Sequence, residues 1–276
     1  MILPRRFLPG GLPQGIPPWP PDVSLYTYEH TYQIAGSAGN WGLDVDYDDG
    51  SALYYSRGSS AGITECQMPT GFDISSISGC LTNTNITATG LLSIRMRPDN
   101  GGHLFIAQDT GLTVNIRRYT TVTPYSLTGI TEASVIVKDI TSILTSGNIT
   151  GLFIKFDGLR LWTTDGAANT YEFSMSPAWD LSSLSLVNTF ASMPAANGLY
   201  FDPTGMQYYT TISKRIDQWD LTAAFDLSTI PGTPTHTLDL TTEAGAGTVF
   251  GLAFKPNGDK LYALTWPNRR IHQFAA

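Results

Sequence analysis

Charge is scarce in this chain: Asp, Glu, Lys and Arg make up 14% of its 276 residues, against roughly a quarter in ordinary soluble domains. What charge there is runs acidic, with a net of −7, and nucleic-acid binding needs a basic face to meet phosphate. The pairs Arg5-Arg6, Arg117-Arg118 and Arg269-Arg270 stand apart from one another and read as solvated strand ends. No apolar run approaches the length of a membrane span, so neither nucleic acid nor a membrane is expected as a partner. The opening Met1-Ile-Leu-Pro-Arg-Arg-Phe7 lacks the charged-then-apolar order of a secretory signal. A mature chain, or release by another route such as lysis, is expected.

Reactive residues are equally few. The four histidines, His30, His103, His236 and His272, are scattered without ligand spacing. No glycine-rich phosphate loop opens a helix and no Gly-x-Ser-x-Gly elbow occurs, so no cofactor is expected. The only cysteines, Cys66 and Cys80, lie fourteen residues apart. They are either two free thiols of a reducing compartment or a bridge contributing about 3 kcal/mol by loop entropy.

Gly, Ser, Thr, Asn and Pro are plentiful, and Asp greatly outnumbers Glu. Asp closes turns with its own side chain whereas Glu and Lys favour helix, so this bias points to β-structure with many tight turns. One motif recurs. It reads Gly251-Leu-Ala-Phe-Lys-Pro-Asn-Gly-Asp-Lys-Leu-Tyr262, Gly198-Leu-Tyr-Phe-Asp-Pro-Thr-Gly-Met-Gln-Tyr-Tyr209 and Gly151-Leu-Phe-Ile-Lys-Phe-Asp-Gly-Leu-Arg-Leu-Trp162. Looser copies are Ser93-Ile-Arg-Met-Arg-Pro-Asp-Asn100 with Leu104-Phe105, and Gly42-Leu-Asp-Val-Asp46 with Leu53-Tyr54-Tyr55. Each is a strand, a turn at Gly or Asn, and a returning strand. Their spacing of about fifty residues is that of a four-stranded propeller blade.

A second motif trails each hairpin. An aromatic ends a strand, and six residues later another opens an Asp-aliphatic-Ser turn: Phe173 then Trp179-Asp-Leu-Ser182, and Trp219 then Phe225-Asp-Leu-Ser228. Tyr119 leads to Tyr125-Ser-Leu-Thr128, and Cys66 to Phe72-Asp-Ile-Ser75. The Asp carboxylate is expected to accept the backbone N–H two residues on, with the aromatic wedged between blades. The last copy ends after Arg270-Ile-His-Gln-Phe274 without this turn, while Asp22-Val-Ser-Leu25 supplies one near the start, followed by Tyr26–Ile34. The expected fold is therefore all-β: a five-bladed β-propeller over 22–276, with blades starting near 42, 93, 151, 198 and 251. Its last blade borrows a strand from 22–35, which also removes two open sheet edges.

These repeats resemble a propeller-repeat family common in virion and tail-appendage proteins of bacteriophages and in some bacterial surface proteins. The resemblance covers residues 22–276 and carries no catalytic residues. It implies a non-catalytic virion structural or surface protein, a tail appendage or capsid decoration, extracellular and present in multiple copies. Host-surface saccharide is a further expected partner, met by exposed Tyr and Trp on loops near 131–148 and 231–247. The alternatives are a secreted bacterial adhesin and a propeller glycoside hydrolase, whose acids would be sought at Asp44, Asp46 and Asp202. The run Asp44-Val-Asp46-Tyr-Asp48-Asp-Gly50 hints weakly at calcium, but Tyr55 stands where a bidentate Glu is needed.

Residues 1–21 form a separate proline-rich extended arm. It carries Ile2, Leu3, Phe7, Leu8, Leu12, Ile16 and Trp19, too apolar for a plain solvated linker. Proline stiffening lowers the entropy lost on docking. The arm is expected to anchor the ring on other virion subunits, or else to fold back across its own propeller.

Overall fold

The computed structural model describes residues 19, 22–35, 41–57, 62–86, 89–146, 148–191, 193, 196–245 and 247–276. Strand β1 is Thr27–Gln33. Blade 1 follows with β2 (Leu43–Val45), β3 (Ala52–Ser56), β4 (Ile63–Gln67) and β5 (Gly79–Asn83). Blade 2 holds β6 (Leu91–Met96), β7 (His103–Asp109), β8 (Val114–Thr120) and β9 (Ile136–Asp139). Blade 3 holds β10 (Gly151–Ile154), β11 (Arg160–Thr164), β12 (Thr170–Ser174) and β13 (Ser185–Phe190). Blade 4 holds β14 (Gly198–Phe201), β15 (Gln207–Ile212), β16 (Arg215–Asp220) and β17 (His236–Asp239). Blade 5 is β18 (Thr248–Phe254), β19 (Lys260–Trp266) and β20 (Arg270–Ala275), completed by β1.

The five sheets form a β-propeller, and the ring closes as the leftover elements required. Strand β1 pairs antiparallel with β20 from Thr27↔Ala275 to Gln33↔Arg270. Strands from opposite ends of the repeat array thus pair in one sheet, with β1 outermost and β20 beside it. Lys260 adds an ion pair to Glu29 across this closing sheet, 2.6 Å apart.

The trailing turns follow the predicted chemistry. The carboxylates of Asp22, Asp73, Asp180 and Asp226 accept the N–H of Ser24, Ser75, Ser182 and Ser228 at 2.7–3.0 Å. Ser126 does the same for Thr128 at 3.1 Å. The aromatic before four of these five turns takes a left-handed backbone: Phe72 at φ 61°, Tyr125 at 54°, Trp179 at 65° and Phe225 at 59°. Non-glycine residues adopt this region only when the surroundings impose it. The surroundings here are the hairpin glycines of the same blade. A Cβ on Gly158 would lie 2.3 Å from the Trp179 ring and one on Gly205 2.2 Å from Phe225.

Each of these aromatics also reaches the second strand of the preceding blade. Tyr54 and Tyr262 donate their hydroxyls to the Tyr125 and Phe72 carbonyls. Trp179 sits 6.2 Å from Phe105, and Phe225 stacks on Trp162 at 5.7 Å. The apolar core is accordingly distributed over the seams between blades. Outermost strands face water: in β13 all residues but Phe190 are exposed.

In four blades the polar residue just before the first position of the trailing motif makes a second tie. Glu65 accepts the Leu127 N–H, Gln218 the Val23 N–H and Gln273 the Ile74 N–H, at 2.7–2.9 Å. Arg118 donates to the Trp179 carbonyl at 2.6 Å. Four of the five blades thus hold the turn of the next. Arg117 and Arg118 are therefore not solvated strand ends. They lie within β8, and Arg117 pairs with Glu132. The stretches 131–148 and 231–247 likewise are not displayed loop insertions: they carry the outermost strands β9 and β17, and neither contains Tyr or Trp.

Candidate functional site

Five innermost strands converge on the ring axis, and each presents there an edge with no further strand to pair. A bare edge leaves carbonyls without donors, which is costly once water is excluded. Arg95 of β6 meets this need. Its guanidinium has five N–H donors in a fixed plane, and all five are used. Nε donates to the Leu152 carbonyl at 3.1 Å. One terminal nitrogen serves the Leu43 carbonyl at 3.1 Å and the Asp44 carboxylate at 3.3 Å. The other serves the Leu199 and Leu252 carbonyls at 3.0 and 3.1 Å. Arg95 stands on blade 2, so one side chain is bonded to the other four blades. It is 6% exposed and Asp44 0%. The channel is plugged at its centre.

Asp44, Arg95, Phe153, Tyr200 and Ala253 occupy the same place in the five copies of the hairpin, each opposite an aromatic or tyrosine of the second strand. Around the plug they form one polar and one aromatic side. Tyr200 lies 5.2 Å from the Arg95 guanidinium and 5.2 Å from Phe153, and its hydroxyl meets that of Tyr47 at 3.3 Å. Asp44 also accepts the Met96 N–H at 2.6 Å. Burial pushes the Asp44 carboxyl up to about 6, against the pull of Arg95 and the Met96 N–H.

The remaining acids of interest are turn-formers. Asp46, 4% exposed, accepts the Asp48 N–H at 2.8 Å and the Ser51 hydroxyl at 3.2 Å. Burial pushes its carboxyl up to about 7, with Asp49 adding to the effect and the Asp48 N–H opposing it. Asp48 is exposed at the turn. Asp44, Asp46 and Asp48 are therefore not gathered on one point, and among the described residues no group of three ligating side chains could hold a metal. Asp202 accepts the Thr204 and Gln207 N–H groups at 2.9 and 2.7 Å, a turn role like that of Asp46 rather than a place in the channel.

His272 is buried between the hydroxyls of Thr31 and Thr265, at 2.9 and 3.1 Å, and burial lowers it to about 4. His103 is lowered to about 4 for the same reason, with Arg118 adding to it. His236 lies 3.1 Å from Asp22. Cys66 and Cys80 are bridged, directly opposite each other in β4 and β5.

On the face of the ring carrying the blade-to-blade connections, three half-buried aromatics meet. Trp41 stacks on Trp266 at 5.8 Å and takes the edge of Phe250 at 4.2 Å. Trp41 and Phe250 immediately precede the Gly-Leu of blades 1 and 5, so the cluster sits at the channel mouth.

Of the arm's apolar residues, Ile2, Leu3, Phe7, Leu8, Leu12 and Ile16 lie outside the described residues. Trp19 is docked on its own ring, the placement that the fold-back alternative expects of it. Its indole N–H donates to the Tyr209 hydroxyl at 2.8 Å, and its ring stacks on Tyr200 at 6.2 Å and tilts against Phe254 at 5.2 Å.

No family profile matches the sequence, and no curated protein matches it. Solved structures share the fold. The chain is similar to Myxococcus xanthus glutaminyl cyclase, with a TM-score of 0.57 and 17% identity over 90% of this chain and 95% of that one. Looser likenesses are a nidogen/laminin complex structure, TM-score 0.49 and 14% identity over 83% and 73% of the two chains, and the Myceliophteria thermophila Cps50 (Swd1) β-propeller domain, 0.47 and 12% over 88% and 71%. At these identities the likeness extends to architecture alone.

Proposed function

We propose that this chain is a non-catalytic structural and recognition module on the exterior of a bacteriophage particle, a tail appendage or capsid decoration present in several copies. The observation that carries the non-catalytic reading is the Arg95 plug. The channel, where a ring enzyme would converge its acids on a substrate, is filled by a guanidinium bonded to four other blades. The acids nearby are committed: Asp44 to Arg95 and the Met96 N–H, Asp202 to its own turn. The particle itself rests on the wording of the repeats, and the arm upstream of Trp19 is the segment that grips a neighbouring subunit. Host-surface saccharide is the ligand, with Trp41, Phe250 and Trp266 as the apolar surface against which a sugar ring stacks.

Deleting residues 2–18 leaves Trp19 in its seat and tests the assembly role. Loss of incorporation into particles, with unfolding of the isolated protein unchanged, is the expected result; full incorporation rejects anchoring by the arm. Retention on host polysaccharide is expected to drop at least tenfold in Trp41→Ala. Equal retention removes the saccharide from the proposal and leaves the structural role.

A further inference from the structure

Four seams of the ring share one construction, and the fifth departs from it. In the seams entering blades 1 to 4, the aromatic before the Asp or Ser turn meets the second-strand aromatic of the preceding blade. The pairs are Phe72 with Tyr262, Tyr125 with Tyr54, Trp179 with Phe105 and Phe225 with Trp162. In the seam entering blade 5, the turn begins at Asp22 and the preceding residue is Pro21. The four sister positions require φ between 54° and 65°, whereas the proline ring fixes φ near −65°. Position 21 cannot carry the wedge.

The seat itself is nevertheless present. Tyr209 is the counterpart of Trp162, each opposite the third residue of its hairpin motif, and Phe254 is the counterpart of Phe201. Phe225 stacks on Trp162 and tilts against Phe201 at 5.4 Å. Trp19 bonds to Tyr209 and tilts against Phe254 at 5.2 Å.

We propose that the cleft between blades 4 and 5 is a slot for an aromatic ring bearing an N–H donor, and that Trp19, two residues off the repeat, fills it as the fifth wedge. Trp19 then ties the chain to the ring at this seam, on the face that carries the hairpin turns. A segment gripping another subunit would pull directly on the closure of the ring. The slot belongs to the isolated protein, so its test stands whether or not the chain is a particle component.

Trp19→Ala is expected to lower the melting midpoint by about 5–10 °C, on the scale of 2–4 °C per kcal/mol for a domain of this size. Amide exchange of β1 and β20 is expected to speed up at least tenfold while β7 keeps its parent rate. N-acetyl-tryptophanamide at millimolar concentration is expected to raise the midpoint of the variant by more than 2 °C and leave the parent unchanged. A midpoint within 1 °C of the parent, exchange that accelerates evenly over the ring, or equal response of both proteins to the indole would each overturn the proposal. Trp19→Leu keeps a smaller apolar side chain without ring stacking or donor, and serves if Trp19→Ala yields no folded protein. A parental midpoint in Trp19→Leu likewise refutes the slot.

Discussion

Replacing Arg95 by Met keeps the unbranched stem as far as the Nε position and removes every donor, which makes it the sharpest probe of the ring's centre. Four carbonyls and the Asp44 carboxylate lose their partner at once. A buried acceptor left unmade costs about 1–3 kcal/mol, and water entering the vacated space recovers part of that sum. Removing one member of a buried ion pair costs about 3–5 kcal/mol, which we take as the expected loss. Urea unfolding at pH 7.5, followed by tryptophan fluorescence, measures it. A second signature separates lost bonding from lost volume. Without Arg95, Asp44 is an unpaired buried carboxylate, so Arg95→Met should regain stability relative to the parent as pH falls from 7.5 to 5.5. The double variant with Asp44→Asn should show a smaller loss and no such gain. Arg95→Lys restores a charge for Asp44 but not the planar fork, and should fall between. A loss under about 1 kcal/mol in Arg95→Met, with a parental pH slope, would refute the keystone role.

Two further outcomes follow from groups already described. Asp46 has its folded pKa raised to about 7 from 3.8, so the folded state holds the extra proton between those values. Its contribution is fully present below about pH 4 and is lost as pH rises through 7. Asp46→Asn should therefore flatten the pH dependence and stabilise the protein by about 2–4 kcal/mol at pH 8, read by urea midpoints from pH 4 to 8; no gain at pH 8 would show the carboxyl is not disfavoured there. Replacing Cys66 and Cys80 together by Ala frees a loop of fourteen residues, and should cost about 3 kcal/mol by loop entropy. The urea midpoint of the double variant, compared with the parent under non-reducing conditions, gives that number.

The hairpins and their trailing turns were legible because their information is local. A Gly-Leu strand, a turn at Gly, a returning strand and an Asp two residues before its N–H partner are all written within a dozen positions. Closure was legible for a different reason, since Asp22-Val-Ser-Leu25 and Arg270–Phe274 are each meaningless without the other. Arg95 sits in a degenerate copy and carries no local motif, and its sisters are Asp44, Phe153, Tyr200 and Ala253. A cation at an innermost-strand position of a charge-poor chain was the available signal. Glu65, Arg118, Gln218 and Gln273 were hidden for want of register: their partners lie on the next blade, at a distance no repeat alignment reports. Trp19 escaped because it stands two residues out of phase with the copies it completes. The pairing of Cys66 with Cys80 depended on the same missing register.

Pairing β1 with β20 has a consequence for how the chain is made. Thr27 and Ala275, which meet in the final sheet, are 248 residues apart. At a synthesis rate of about 5–20 residues per second, Thr27–Gln33 waits about 12–50 s for its partner. Blades 1 to 4 can each assemble from contiguous sequence during that interval, while Thr27–Gln33 has nothing of its own to pair with. In a nascent chain β1 is therefore the strand most exposed to mispairing, and a neighbour's free β20 is the competitor most similar to the proper one.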